Sequence, residues 1–220
     1  MVAPILAPVR NRPGSRASGV RALAALCLLA LAPVACGGDQ KAPATTAPAG
    51  YTVMSSAKEG FALAVPADWT AIPLSNDPAV FDKDANRLRS ANPELASILN
   101  QARVLGQSGG KFMAVTPDGT GSVNLTSDKP KEKTLEEIVR NSIAGLENVG
   151  ATNIRQEPST VNGKPSVRLT FRLPVETDAG TIPTEEIQYY LLEDKKVFIL
   201  TVAAAPADVA AAIASSLRLR

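Results

Sequence analysis

The stretch Ser159-Thr-Val-Asn-Gly-Lys-Pro-Ser-Val-Arg-Leu-Thr-Phe-Arg-Leu173 determines the fold class. Asn162-Gly163 is the dipeptide most typical of a two-residue β-hairpin turn. From Val167 to Leu173 apolar residues alternate with polar ones, which is the period of a strand with one face on a core and the other toward water or a partner. The stretch therefore predicts an antiparallel hairpin.

Further strands are predicted on both sides of this hairpin. The same alternation occurs at 61–65 and 123–125, and apolar runs at 187–192 and 197–202 are joined by the short polar segment 193–196. Runs of this length bounded by polar or turn residues are typical of strands. The chain is therefore rich in short strands.

Three helices interrupt the strands. Asn92-Pro93 is a cap followed by a first-turn proline, and the apolar stripe 95–105 ends before Gly106. Thr134 and Glu137 form a capping box that opens a helix stopped by Gly150, and Pro206 starts the last helix. Because strands predominate, we predict an α+β fold with a mainly antiparallel sheet flanked by helices.

The N-terminal half of the domain also carries a family resemblance. Tyr51-Thr-Val followed by Phe61-Ala-Leu-Ala-Val-Pro-Ala-Asp-Trp69 resembles the opening of PsbP/Mog-like domains, especially those of actinobacterial LpqN-type lipoproteins. The order of the later elements is similar over nearly all of 51–220. The resemblance implies an α/β/α sandwich and roles in binding or assembly, such as docking cell-envelope proteins, without shared catalytic machinery.

Residues 1–35 have the parts of a bacterial lipoprotein signal. Four arginines without an acidic residue precede an apolar run, and Val34-Ala35-Cys36 resembles the lipobox, with Pro33 where leucine is usual. Ordinary signal-peptidase cleavage, with Cys36 as a bystander, is the first alternative. An intact membrane anchor is the second, although the apolar run of about 14 residues is shorter than the ~20 that span a bilayer.

The lipoprotein interpretation divides the chain into three parts. Residues 1–35 are the signal peptide, 36–50 a flexible tether rich in Ala, Pro, Thr and Gly, and 51–220 the folded domain. Cys36 would be the lipid attachment site, and the protein would be anchored at the extracytoplasmic face of the cell membrane. Cys27 lies inside the signal, so the mature chain has no partner cysteine for a disulfide.

The charge balance argues against a nucleic-acid partner. The chain has 23 basic and 21 acidic residues, but four arginines and no acid precede Cys36, so residues 36–220 carry 19 basic against 21 acidic residues, a net charge of −2. The basic character of the whole chain therefore comes from the signal and does not indicate nucleic-acid binding.

Motifs for catalysis or metal binding fail on their context. Gly106-Gln-Ser108-Gly-Gly110 matches a nucleophile elbow, but it follows a helix and precedes a strand, and the chain contains no histidine. The same stretch lacks the residues of a phosphate-binding loop. Asp82-x-Asp84-x-Asn86 lacks the glycine and the glutamate of a calcium loop and is interpreted as a solvated acidic turn. We predict a protein that is not an enzyme, with no catalytic, cofactor-binding or metal-binding residue.

Three residues are candidates for a partner or ligand surface. Arg168 and Arg172 share one face of a predicted strand, and Trp69 is the single tryptophan. The leading hypothesis is a membrane-anchored binding module that docks cell-envelope proteins, which predicts a flat sheet face or a groove with exposed apolar residues and no deep cavity. A carrier of a hydrophobic or lipidic envelope ligand would need a roomy apolar pocket. A hydrolase would need a cleft that gathers Ser108, a lysine and a carboxylate.

Overall fold

A computed structural model describes residues 42–75, 77–91, 95–177 and 180–220. The predicted signal peptide, Cys36 and the Asn92-Pro93 cap lie outside the described residues.

The described chain forms ten strands and four helices. The strands are β1 (Tyr51–Ser56), β2 (Phe61–Pro66), β3 (Thr70–Ile72), β4 (Gly110–Val115), β5 (Ser122–Asp128), β6 (Thr152–Val161), β7 (Lys164–Thr177), β8 (Gly180–Glu193), β9 (Lys196–Ala203) and β10 (Arg218–Leu219). The helices are α1 (Pro78–Ala91), α2 (Ala96–Gln107), α3 (Leu135–Asn148) and α4 (Ala207–Ser216).

The strands form two antiparallel sheets. A large sheet has the order β3-β4-β5-β9-β8-β7-β6, and a small sheet has the order β1-β2-β10. Every described strand pair is antiparallel. The predicted α+β class with antiparallel sheets flanked by helices is confirmed.

Both predicted hairpin turns are present. Val161 pairs with Lys164, and Asn162 and Gly163 have φ angles of 51° and 73°, as a type I′ turn requires. The turn between β8 and β9 also has two left-handed residues, Asp194 at 48° and Lys195 at 62°. This second turn has the hairpin geometry without a glycine.

Each face of the large sheet packs on a different layer. The face toward the small sheet, called the small-sheet face, carries Leu125, Ile187 and Leu200, which pack with residues of β2 and α4. The opposite face, called the helix face, contacts α3 through β7 and β8 and α2 through β4. The period-2 alternation of the strands therefore separates the core on the small-sheet face from the two buried clusters on the helix face.

The predicted helix starts and stops are largely confirmed. Thr134 Oγ1 accepts a hydrogen bond from Glu137 N at 3.2 Å, and Gly150 follows α3 with a φ of 85°. Helix α2 continues one residue past Gly106, so this glycine does not end the helix. Gly106 packs closely against the backbone of Ser75, where an added Cβ would lie 3.0 Å from the carbonyl oxygen.

Helix α1 was not predicted, and the interpretation of 82–86 as an acidic turn was wrong. The segment is helical, with Phe81 and Ala85 buried and Leu88 half-buried on one side. These three residues form a narrow apolar stripe along the helix. Charged residues around it make the helical period hard to recognise in the sequence. The Asp82 carboxylate forms an ion pair with Arg103, and the guanidinium of Arg103 lies 5.3 Å from the centroid of the Phe81 ring.

The described part of the predicted tether contacts the domain. Thr45 Oγ1 donates a hydrogen bond to the Ser216 carbonyl at 2.7 Å. Ser216 Oγ in turn accepts one from Ala64 N at 2.7 Å, so this contact lies beside the middle of β2. The described part of the tether is therefore held against the domain at Thr45.

Candidate functional site

The small-sheet face becomes polar toward the β6 edge of the large sheet. Arg155, Glu157, Arg168 and Arg172 lie on this surface, together with Glu185 of β8; we call it the arginine face. The strand register sets its pattern, since Glu157 lies opposite Arg168 and Glu185 lies opposite Arg172. The structure therefore brings Arg168 and Arg172 together on one face, as the sequence indicated.

Arg168 is the most constrained residue of the arginine face. Its Nη1 donates a hydrogen bond to Glu157 Oε2 at 3.3 Å, and its side chain is 30% exposed. Its Nε is buried and has no partner in the described chain. On the other side lies Tyr189, whose phenol pKa is raised by burial and lowered by the charge of Arg168.

Ser166 lies next to Arg168 on the same strand face. It is 5% exposed, and its Oγ has no hydrogen-bond partner in the described chain. Buried polar groups are nearly always paired, and an unpaired one costs about 1–3 kcal/mol. Ser166 Oγ and Arg168 Nε are thus two buried polar atoms without a partner on neighbouring positions of one strand face.

Arg155 lies opposite Thr170, and Arg172 lies four residues after Arg168 on β7. Both are therefore on the same side of Arg168 along the strands, and both side chains are exposed. Neither forms an ion pair within the described chain. Their planar guanidinium groups can each bind a carboxylate in a bidentate manner. The arginine face thus has two exposed guanidinium groups without an ion pair, next to one partly buried arginine.

Trp69 is not part of this surface. It is 8% exposed and belongs to the core that also contains Phe61 and Phe112. Strand β3, which follows Trp69, lies five strand positions from β7, a distance of about 24 Å at the usual strand spacing. The structure therefore does not bring Trp69 together with Arg168 and Arg172.

Ser108 lies at the C-terminal end of α2, directly before β4. Its Oγ donates a hydrogen bond to the Val104 carbonyl at 2.9 Å, the ordinary bond of a helix-terminal serine. The order of elements is helix, loop, strand, and Gly109 has a φ of 90° in the loop. An elbow that exposes a nucleophile has the reverse order. Within the described ranges, no group of three or more His, Cys, Asp or Glu side chains has a metal-binding arrangement.

Glu186 is a buried acid that the sequence did not single out. It is 5% exposed on the helix face, between Phe171 and Ala203 of the neighbouring strands. Burial raises its carboxyl pKa to about 7. The predicted strand began at Ile187, so only the full length of β8 reveals that Glu186 lies inside the sheet.

Two depressions are present on the described surface. One of about 470 Å³ is lined by Leu135, Glu136, Lys164, Pro165, Leu192, Glu193 and Asp194. The other, of about 340 Å³, is lined mainly by charged residues, among them Lys58, Lys111, Lys129 and Lys196. The first is an open depression lined by both apolar and charged residues and the second is mainly charged, so neither is an enclosed apolar pocket for a lipid. No helix in the described ranges is both long enough and apolar enough to cross a bilayer.

Comparison with known proteins supports the architecture. No protein-family model matches the chain, and no curated protein matches it. The solution structure of cyanobacterial PsbP (CyanoP) from Synechocystis sp. PCC 6803 is similar, with a TM-score of 0.51 and 13% identity over 84% of this chain and 98% of that chain. The chain has a PsbP-like fold.

A second solved structure is similar at a lower level. It is LpqN involved in cell envelope biogenesis of Mycobacterium tuberculosis, with a TM-score of 0.41 and 12% identity over 80% of this chain and 89% of that chain. Identities this low relate the folds alone. The arginine face therefore has to be interpreted from the side chains of this chain.

Proposed function

We propose that this protein is an extracytoplasmic lipoprotein, anchored to the cell membrane through Cys36, whose domain docks a cell-envelope protein without catalysis. The observation that carries the proposal is the arginine face. It combines two exposed guanidinium groups without ion pairs, those of Arg155 and Arg172, with the unpartnered buried donors of Arg168 and Ser166.

The chemistry of the arginine face favours an acidic protein partner. Arginine is enriched among the residues that dominate binding energy at protein interfaces. A carboxylate of the partner would accept a bidentate pair of hydrogen bonds from the exposed guanidinium group of Arg155 or Arg172. Neither of the two depressions is lined by residues of the arginine face, so this face fits a protein surface better than an enclosed small molecule.

The alternative functions have less support. A carrier of a lipidic ligand would need a roomy apolar pocket, whereas the lining of the two described depressions includes many charged groups. A hydrolase built on Ser108 would need an activated nucleophile, whereas the Ser108 hydroxyl donates to a helix carbonyl. Docking is therefore the function that the described geometry favours.

Site-specific photo-crosslinking on intact cells tests the docking proposal. A photoreactive residue at Thr170, in the middle of the arginine face, is expected to give one reproducible protein adduct. The matched control is Gln156, which is exposed on β6 and lies on the other face of the sheet. Arg172→Glu should abolish the Thr170 adduct, whereas Lys83→Glu on α1 should leave it unchanged. Identical adducts from Thr170 and Gln156 would refute the proposal.

The anchor is tested separately. Mass spectrometry of the mature N-terminus should find Cys36 acylated, and Cys36→Ala should release the protein from the membrane fraction. An unmodified cysteine in a membrane-bound mature chain would contradict the lipoprotein part of the proposal and leave the docking part intact.

A further inference from the structure

The lysines of the domain are concentrated at one end. Residues 51–220 contain nine lysines, and only Lys83 is placed elsewhere, on α1. The other eight lie in or beside the turns and loops that we call the lysine end: Lys58, Lys111, Lys129, Lys131, Lys133, Lys164, Lys195 and Lys196.

The strand register places these segments together. Glu193 pairs with Lys196, Val161 with Lys164 and Asp128 with Val197, so the turns at 162–163 and 194–195 and the loop after β5 lie at one end of the large sheet. The small sheet joins them through an ion pair of 2.7 Å between Lys111 Nζ and Glu59 Oε2. Residues from β1 to β9 thus contribute to a single surface.

Most of these lysines form no ion pair within the described chain. Lys58, Lys129 and Lys196 line the depression of about 340 Å³ and form no ion pair within the described chain. The same holds for the remaining exposed lysines of this end: Lys131, Lys133 and Lys195. Seven acids lie in or beside these segments, against eight lysines: Glu59, Asp128, Glu132, Glu136, Glu137, Glu193 and Asp194. Two of the acids, Glu59 and Glu193, are paired with lysines. The net charge of the lysine end is therefore positive.

The opposite end has the reverse character. Its described loops, at 67–69, 116–121, 149–151 and 204–206, contain Asp68 and Asp118 and no lysine or arginine. Hydrogen bonds from Thr116 and Thr120 lower the carboxyl pKa of Asp118, so this charge persists at mildly acidic pH. The two ends of the strands thus differ in charge: lysines are concentrated at one end, and the charged residues in the described loops of the other end are acids only.

We infer that the lysine end docks on an anionic bilayer surface and orients the anchored domain on the membrane, an inference that rests on the proposed lipid anchor. Lysines on separate turns of one end can all contact the same extended plane. Their flexible ammonium groups suit the diffuse charge of lipid headgroups, whereas the planar guanidinium of arginine suits a carboxylate held in a fixed position. The positive end therefore fits a surface of anionic phospholipid headgroups.

The path of the chain is compatible with this orientation. Thr45 is held beside Ser216 and Ala64, and Ala64 lies three residues from the end of β2 that reaches the lysine end, a distance of about 10 Å. The eight residues between Cys36 and Thr45 can extend about 30 Å. A lipid on Cys36 can therefore enter the same bilayer that the lysine end contacts.

Vesicle binding tests the inference. The full chain carrying Cys36→Ala, which cannot be lipidated, is mixed with phosphatidylcholine vesicles that contain or lack phosphatidylglycerol. We expect stronger partitioning onto the anionic vesicles and loss of the difference near 1 M salt, where the screening length falls to about 3 Å. The N-terminal run is present in both arms, but its four arginines also favour anionic vesicles. The share of the difference that belongs to the lysine end is therefore measured with lysine variants.

Variants locate the surface. Each neutralised lysine should lower the partition coefficient by up to about fivefold, so Lys129→Gln, Lys131→Gln and Lys133→Gln together should lower it by up to about 100-fold. Lys83→Gln is the matched control and should have no effect. Equal binding to both kinds of vesicle, or equal losses from Lys83→Gln and the triple variant, would overturn the inference. Binding to a soluble polyanion but not to anionic vesicles would also overturn it. Because the assay contains no protein partner, its outcome is independent of the crosslinking result.

Discussion

Replacing Glu186 by glutamine is expected to stabilise the protein above neutral pH. The carboxyl pKa is raised by burial from 4.5 to about 7 in the folded protein. In the unfolded chain the group ionises near its ordinary value, so between these two pH values the folded state binds the proton more tightly. Stability contributed by this group is therefore complete below about pH 4.5 and is lost as the pH rises through 7.

The size of the effect follows from the shift. One pKa unit corresponds to about 1.4 kcal/mol, so a shift of this size destabilises the ionised protein by about 3 kcal/mol at pH 8. Glutamine has nearly the same shape and cannot ionise. Glu186→Gln should thus raise the free energy of unfolding at pH 8 by about 3 kcal/mol, and the melting temperature by roughly 6–12 °C for a domain of this size.

Urea unfolding at pH 8 and pH 4 measures this difference. At pH 4 the carboxyl is protonated in the folded protein, so wild type and variant should differ by less than about 1 kcal/mol. The control is Glu185→Gln, because Glu185 is exposed on the other face of β8, and its replacement should change stability by no more than about 0.5 kcal/mol at either pH. A gain from Glu186→Gln that is equal at both pH values, or absent at pH 8, would refute the proposed cost of burying the charge.

Three further predictions concern the backbone and the arginine face. Thr134→Ala removes the side-chain cap of α3 and should lower the free energy of unfolding by about 1 kcal/mol in urea titrations; an unchanged midpoint would show that the cap contributes nothing. Gly109→Ala should destabilise by more than about 1 kcal/mol, because the residue has a φ of 90° and an added Cβ would lie 2.8 Å from the Ser127 carbonyl oxygen. Gly145→Ala is its counterpart in the open interior of α3 and should stabilise by about 0.5–1 kcal/mol; the reverse order of the two melting temperatures would contradict this argument. Ser166→Ala removes a buried hydroxyl without a partner and should leave the free energy of unfolding unchanged or slightly raised in urea titrations; a large loss of stability would mean that the hydroxyl has a structural partner.

Local chemistry accounts for the parts of the fold that the sequence predicted. The Asn162-Gly163 turn and the alternation from Val167 to Leu173 are properties of neighbouring residues, and the structure reproduces both. Helix α1 escaped prediction because its apolar stripe is narrow and its surface is charged. The local sequence therefore predicts an element where the hydrophobic period is strong and misses it where the period is weak.

The candidate site depended on long-range pairing. One strand placed Arg168 and Arg172 on the same face, and this prediction needed only the period of a strand. The unpartnered state of Ser166 and the burial of Glu186 depend on which strands lie beside β7 and β8. The lysine end likewise exists only because turns distant in sequence meet through the register, so composition gave no sign of it.

The small sheet has a kinetic consequence. Its central strand β2 pairs on one side with β1, the preceding strand, and on the other with β10, so that Phe61 lies opposite Leu219 and Gly60 accepts a hydrogen bond from Arg220 N at 2.9 Å. The first pairing can form as soon as the hairpin emerges, whereas the second requires almost the whole domain to have been synthesised. Contacts of such long sequence separation slow folding and leave an open strand edge in intermediates. A nascent chain of this protein therefore keeps Phe61 and Ala62 available to chaperones, or to another nascent chain, until its final strand is in place.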